Sequence, residues 1–260
     1  MKPVNLLVII TLILSASFLL TFASSYIVPT ENLRRLALFY LVTTYNPETQ
    51  YTALSPEGVT AIVWDYRGLD TLFETAVFFL ALIAALSLVR GLYAETPPQE
   101  VSREAGLSTI VKTVTRITAP MIIAVGASVA LHGHLTPGGG FQGGSIVAVA
   151  PMVFMVIFSS LYVLRKGVTT TKMLVLRSIG LIGVGLTSIA VFMAGLILGE
   201  LGYVFQNMPK PGAPLGMPSH VGGTLISGTL WFFNLFEMFA VAAGFTLIFI
   251  VLLIAGKKEG

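Results

Sequence analysis

Of 260 residues, 55% are hydrophobic and 10% charged, with a mean hydropathy of +0.88 and a formal net charge of +3. A soluble domain carries about 25% charged residues, so a water-facing globule is excluded; the apolar residues fall in long blocks, which makes the chain an all-α polytopic membrane protein. Cysteine is absent, which removes disulfides, thiolate metal sites and iron–sulfur ligation by this chain, and so small a basic excess does not suit nucleic acid.

In chain order, six apolar blocks predict six transmembrane helices. They run from about Val4 to Phe22, Thr71 to Leu92, Ile117 to Leu135, Phe141 to Leu164, Leu174 to Leu201 and Leu225 to Ala255. Lys2 and the run behind it resemble a secretory signal, but the run exceeds the ~7–15-residue apolar core of such signals. It is therefore read as a retained transmembrane helix. With the N-terminus inside, the inner segments hold Lys2, Arg90, Arg103, Lys112, Arg116, Arg165, Lys166, Lys172, Arg177, Lys257 and Lys258. The outer segments hold Arg34, Arg35, Arg67 and Lys210. The bias of 11 to 4 follows the positive-inside rule and places both termini in the cytoplasm.

Between the second and third blocks, residues 94–108 form a polar connector in which Pro97-Pro98 cannot continue a helix. It divides the chain into a two-span front part, residues 1–93, and a four-span back part, residues 109–260. Gly58 to Tyr66 is a short apolar stretch that reads as a half-helix or as an upstream extension of the second span. In the fifth block, Gly195 and Gly199 make a small-xxx-small pair that lets another helix approach.

Ionisable groups inside spans are costly, each by about 2.5–3.5 kcal/mol or more, and so mark function. Asp70, Glu74, Glu200 and Glu237 lie in or near the blocks, and no Lys or Arg is placed deep enough to neutralise them. Asp70 and Glu74 share a helix face at i, i+4. Thr71 and Glu74 also fit a capping box, in which Glu74 only closes the first turn; both readings stand. Glu237 sits among aromatic residues with Asn234 three positions earlier on the same face, able to hydrogen-bond it. A structural hydrogen bond to another helix and a place on an ion path are the two readings of Glu237. Glu200 reads as a solvated helix end.

The loop between the third and fourth spans is His132-Gly133-His134-Leu135-Thr136-Pro137-Gly138-Gly139-Gly140-Phe141-Gln142-Gly143-Gly144. Its two histidines diverge at i, i+2 and have no third ligand nearby, so no metal site is assigned. The glycines permit tight turns and close helix contact, and a histidine here titrates near neutral pH and suits a proton relay.

The Gly133-His134, Pro137-Gly138-Gly139-Gly140-Phe141 and Gly143-Gly144 pattern resembles the signature loop of the MnhB/MrpB-type subunit of the multisubunit Mrp-type Na⁺/H⁺ antiporters. It also resembles the matching subunit of archaeal membrane-bound hydrogenases and sulfur-reducing complexes. The likeness covers about Ser108 to Ala255, and Glu237 falls where that family tends to carry an acidic residue. In the front part, Asp65-Tyr66-Arg67-Gly68-Leu69-Asp70-Thr71-Leu72-Phe73-Glu74 resembles a segment at the C-terminal end of the large subunit of those antiporters, with Phe73 where the family often has Gly.

The resemblance implies a noncatalytic subunit of a Na⁺/H⁺-translocating module in a complex I-like respiratory complex, such as a membrane-bound hydrogenase or sulfur reductase. It places the chain in the prokaryotic plasma membrane as part of an obligate hetero-oligomer. Partners are other antiporter-module subunits and a redox arm that holds any iron–sulfur centres; this chain carries no cofactor, only Na⁺ or H⁺ as cargo. Glu74 is carried over as part of the ion route, with Asp70, Glu237, His134 and His132 as further candidates. The alternatives are membership of a stand-alone Mrp antiporter and a purely structural scaffold.

Overall fold

A computed structural model describes residues 3–25, 33–88 and 107–255. The Pro97-Pro98 connector and both chain ends, and with them most of the linker assigned from sequence, lie outside the described residues. The chain divides into two compact units, Met1–Phe39 and Tyr40–Gly260. The first holds α1 (Pro3–Ser25), whose described side chains are exposed all along the helix, as Phe18 and Leu20 are. A helix apolar on every face is one built for lipid or for other helices. Helix α2 (Arg35–Thr43) runs into the second unit.

Among the described residues, five helices of the second unit are long and apolar enough to cross a membrane. They are α4 (Gly68–Leu88), α5 (Thr109–Leu131), α6 (Gly140–Phe158), α8 (Thr170–Leu198) and α9 (Thr229–Ala255). Its described residues also form two short helices, α3 (Gly58–Thr60) and α7 (Ser160–Arg165), and a β-hairpin of β1 (His220–Val221) and β2 (Thr224–Leu225). Helix α9 is the axis: it packs on α8, α6, α5 and α4, and 61% of its apolar span is buried.

Two boundaries differ from those expected. The third span begins at Thr109 rather than near Ile117, because Ser108 accepts the Val111 N–H at 3.5 Å and caps the helix. Lys112 and Arg116, which made this stretch look like a loop, lie 6.0 and 5.3 Å from the Phe158 ring centroid and so can ride on an apolar helix. The expected fourth span is broken at Ser159, whose φ of 123° leaves helical space while its Oγ accepts the Tyr162 N–H and starts α7.

Glycines set the closest approaches. On the first turns of α6, Gly143 meets the Gly126 carbonyl of α5, while Gly140 and Gly144 meet backbone atoms of α9. On α8 the contact with α9 is at Gly180 and Gly183, against Ala240 and Phe236. The expected Gly195–Gly199 pair is not a helix seam: Gly195 faces the chain at Glu200 and Gly202, and Gly199 is the left-handed C-cap of α8 with φ 72°.

The loops at one end of this bundle, here the clamp end, tie the front segment to the back part. Trp64 stacks on Phe233 with ring centroids 4.3 Å apart and planes 3° from parallel, in a core with Ala53, Ala61, Val184 and Leu230. The loop after α8 reaches over this core. Asn207 Nδ2 donates to the Ala53 carbonyl at 2.7 Å, Ser227 Oγ to the Leu54 carbonyl at 2.7 Å, and Lys210 Nζ to Asp65 at 2.8 Å. Buried backbone groups of a non-helical segment find partners there that helix or sheet would otherwise supply.

Candidate functional site

Between α3 and α4 the chain makes one π-helical turn, Ala61–Tyr66, and breaks at Arg67 with φ −132° and ψ 30°. The stretch Gly58 to Tyr66 is thus an upstream, broken extension of α4. Thr71 Oγ1 donates to the Val63 carbonyl across this break at 2.6 Å and does not cap α4. The capping-box geometry is therefore absent, and Glu74 stands in the second turn, about 9 Å along the helix from Gly68 at 1.5 Å per residue. Glu74 and Phe73 are both exposed on this chain. Asp70 is exposed and ion-paired with Arg67, so the expectation that no cation neutralises these acids fails at this position.

Glu237, with 7% exposure, is the ninth residue of α9, about 12 Å in from its clamp end. Its side chain lies against the start of α6, where a Cβ at Gly140 would stand 2.6 Å from its Cβ and 2.7 Å from Oε2; the Phe141 amide, the Trp64 indole and the charge of Glu74 act on its carboxyl. The expected Asn234–Glu237 bond is replaced by a tertiary one: Asn234 Oδ1 accepts the Gly140 N–H at 3.2 Å, and its Nδ2 has no partner among the described residues. The first amides of α6 have no intrahelical acceptor, and Gly139 supplies no side chain to cap them. Asn234 takes that role for the Gly140 amide, with the Glu237 carboxyl one turn further along α9 beside it. Pro137, Gly138 and Gly139 turn the chain into α6; Gly138 and Gly139 have φ 153° and 148°, which suits glycine.

Below the carboxyl, the ring of Phe141 meets Phe245 at 6.0 Å and Phe78 at 6.3 Å, each edge-on. His134 lies elsewhere, in the clamp. It is buried, its Nε2–H donates to the Leu225 carbonyl at 2.8 Å, and its own carbonyl accepts from Ser55 Oγ at 2.7 Å. Burial pushes its imidazole below the ordinary 6.5, so it is neutral at pH 7 with Nδ1 as the unprotonated, unpartnered nitrogen. His132 is exposed, with Nδ1 3.0 Å from the Ser128 carbonyl, and Glu200 is an exposed residue just past the end of α8. The structure thus sets Glu237 against the start of α6, with Glu74 near enough to act through its charge, and leaves His132 and His134 in the loops. Among the described residues no group of three or more His, Asp or Glu is arranged to hold a metal ion.

Three features escape a reading of the sequence. Trp64 is one. The second is the Asp65–Lys210 pair, whose carboxylate side chain is 1% exposed and whose Oδ1 has no partner among the described residues. Burial pushes the Asp65 carboxyl from 3.8 up to about 6, against the pull of Lys210. An acid raised in this way holds its proton more tightly folded than unfolded, so its contribution is present below pH 3.8 and is lost as pH rises to about 6. The change is worth roughly 3 kcal/mol. Hydrogen exchange of the 199–228 loop should show the clamp tightening on acidification through this window, and Asp65→Asn should remove that component. An unchanged pH profile in the variant would contradict the assignment.

The third is Arg177, expected at the inner end of the fifth span and found inside the bundle instead, 1% exposed and eight residues into α8. The basic bias survives its removal at ten to four.

Comparison with known proteins matches residues 110–247 to the domain related to the MnhB subunit of Na⁺/H⁺ antiporter. A chain of the membrane-bound sulfane sulfur reductase, an archaeal respiratory membrane complex, is 25% identical with a TM-score of 0.65, covering 96% of this chain and 98% of that one. A chain of the Mrp complex from Dietzia sp. DQ12-45-1b shares the fold, with TM-score 0.63 and 19% identity, covering 97% of this chain and 26% of that one. An uncharacterized protein of Methanocaldococcus jannaschii is 30% identical over 118 residues, covering 40% of this chain. The match spans 45% of that relative's length.

Proposed function

This chain belongs to the family of domains related to the MnhB subunit of Na⁺/H⁺ antiporter, and from that premise we propose that it is a noncatalytic membrane subunit of an ion-translocating module in the prokaryotic plasma membrane. The observation that carries the reading is Glu237. A carboxyl held about 12 Å inside a span, on the N-terminus of a neighbouring helix and within the field of Glu74, is a group that membranes retain for ion paths. Glu237 and Glu74 alternate between charged and cation-neutralised forms as Na⁺ or H⁺ moves, and the α6 amides steady the charged form. Glu74 faces outward from this chain, so the path continues into a neighbouring protein of the complex. Asp70 and its Arg67 partner lie at the mouth.

Residues 1–93 act as the counterpart of the C-terminal end of the large antiporter subunit, and residues 109–260 as the MnhB counterpart. The likeness to the sulfane sulfur reductase chain, at 25% identity over 96% of this chain, favours a redox-linked complex over a stand-alone antiporter. Electron transfer and its iron–sulfur centres belong to the partners, since this chain has no cysteine. Vesicles holding the purified complex should accumulate Na⁺ or H⁺ when driven by a redox couple or an imposed gradient. A complex that moves neither cation under either drive would contradict the proposal.

A further inference from the structure

The described spans carry four basic residues, Lys112, Arg116, Lys172 and Arg177, and only Arg177 is buried. Its three guanidinium nitrogens have no hydrogen-bond partner among the described residues. Two rings of α4 cover it instead, with Cζ 4.1 Å from the Phe79 centroid and 5.9 Å from that of Phe78. Both residues stand near the midpoint of α4, and a Cβ at Gly244 of α9 would lie 3.7 Å from Arg177 Nε. The cation is therefore near mid-span between α4, α8 and α9. Cation–π contact offsets part of its desolvation but leaves the charge uncompensated.

Besides Asp70, which pairs with Arg67, the acids on these helices are Glu74, four residues before Phe78, and Glu237, seven residues before Gly244. Along α9 the guanidinium is about 10 Å from Glu237. The mutually packed rings of Phe78, Phe141 and Phe245 occupy this stretch of the bundle, and an apolar interior holds few mobile ions to screen the charges. We propose that Arg177 is a positioning charge for the Glu237–Glu74 site: it holds the carboxylates in their ionised, cation-releasing form and sets the cation concentration at which the site fills. This rests on the proposed function. On that geometry the aromatic cluster divides the path, with a carboxylate layer toward the clamp end and a fixed positive charge below it that repels a cation seated there.

The test is Na⁺-dependent transport by the assembled complex in vesicles, at alkaline pH where protons compete least. Arg177→Gln should lower the Na⁺ concentration for half-maximal rate about tenfold, the value for unit charges ~10 Å apart at an effective dielectric of 20. Arg177→Lys should fall between that value and the wild type's, because a lysine buried there without a hydrogen-bond partner gives up its proton readily at alkaline pH. A fully assembled Arg177→Gln complex with an unchanged half-maximal concentration would overturn the inference, whatever its maximal rate. Arg177→Met, which fits the aliphatic stem between the rings, is the second neutral variant. Failure of both neutral variants to assemble would assign the side chain to folding and also overturn it. A wild-type complex without any cation-dependent transport would instead remove the proposed function itself.

Discussion

Gly140→Ala is expected to destabilise the second unit by about 1–3 kcal/mol and to loosen the α6–α9 contact on which the site depends. A Cβ there would lie 2.5 Å from the Asn234 carbonyl oxygen, 2.6 Å from Glu237 Cβ and 2.7 Å from Glu237 Oε2. The first is backbone and the second the root of a side chain, so no rotamer change makes room; the helices themselves must part. Parting them lengthens the Gly140 N–H to Asn234 bond, now 3.2 Å, and withdraws the Phe141 amide from Glu237. Gly185→Ala is the control. It sits on α8 with nothing within 4 Å, so the added methyl meets open space and helix propensity favours it. The midpoint of thermal unfolding in detergent should fall for the first variant and hold or rise for the second. Equal midpoints would contradict the packing argument.

Glu237→Gln should leave the complex assembled and remove cation movement. Glutamine has nearly the same shape and keeps an oxygen that can accept from N–H groups at the start of α6, so the contact with α6 survives. The loss is the negative charge. A unit charge about 4 Å from a cation is worth roughly 4 kcal/mol at an effective dielectric of 20, which is about a thousandfold in cation occupancy. Glu237→Asp, shorter by one methylene but charged, should fall between the two. Flux of ²²Na⁺ or of protons into vesicles, measured beside the subunit content of the same preparation, separates the outcomes. Wild-type flux in the Gln variant would make Glu237 a hydrogen-bonded plug and return the chain to a scaffold role. Loss of flux together with loss of subunits would do the same.

Long apolar blocks made the five spans of the second unit legible, because a lipid-facing helix must be apolar over a length the bilayer sets. The glycine-rich loop was legible for a related reason: Gly143 faces the backbone of α5, Gly140 and Gly144 face that of α9, and a side chain at any of the three would collide with it. What was hidden involves partners distant in the chain. Arg177 looks like a helix-end cation because its aromatic cover, Phe78 and Phe79, lies about a hundred residues earlier. Lys210 and Asp65 are 145 residues apart, and neither belongs to a periodic pattern. Asn234 and Glu237 invite pairing by their i, i+3 spacing, yet the unpaired first amide of α6 competes for the Asn234 oxygen and wins. The start of α5 was misplaced for a local reason. Lys112 and Arg116 read as loop until their contact with the Phe158 ring is known.

Purification of this chain through an affinity tag in mild detergent, with mass spectrometry of every chain that accompanies it, tests the central claim most directly. The expected result is a stable set of antiporter-module membrane proteins together with iron–sulfur and further redox proteins. Antiporter components without a redox arm would move the chain to a gradient-driven exchanger and leave its ion path intact. A chain that purified alone and still moved ions in vesicles would contradict the account.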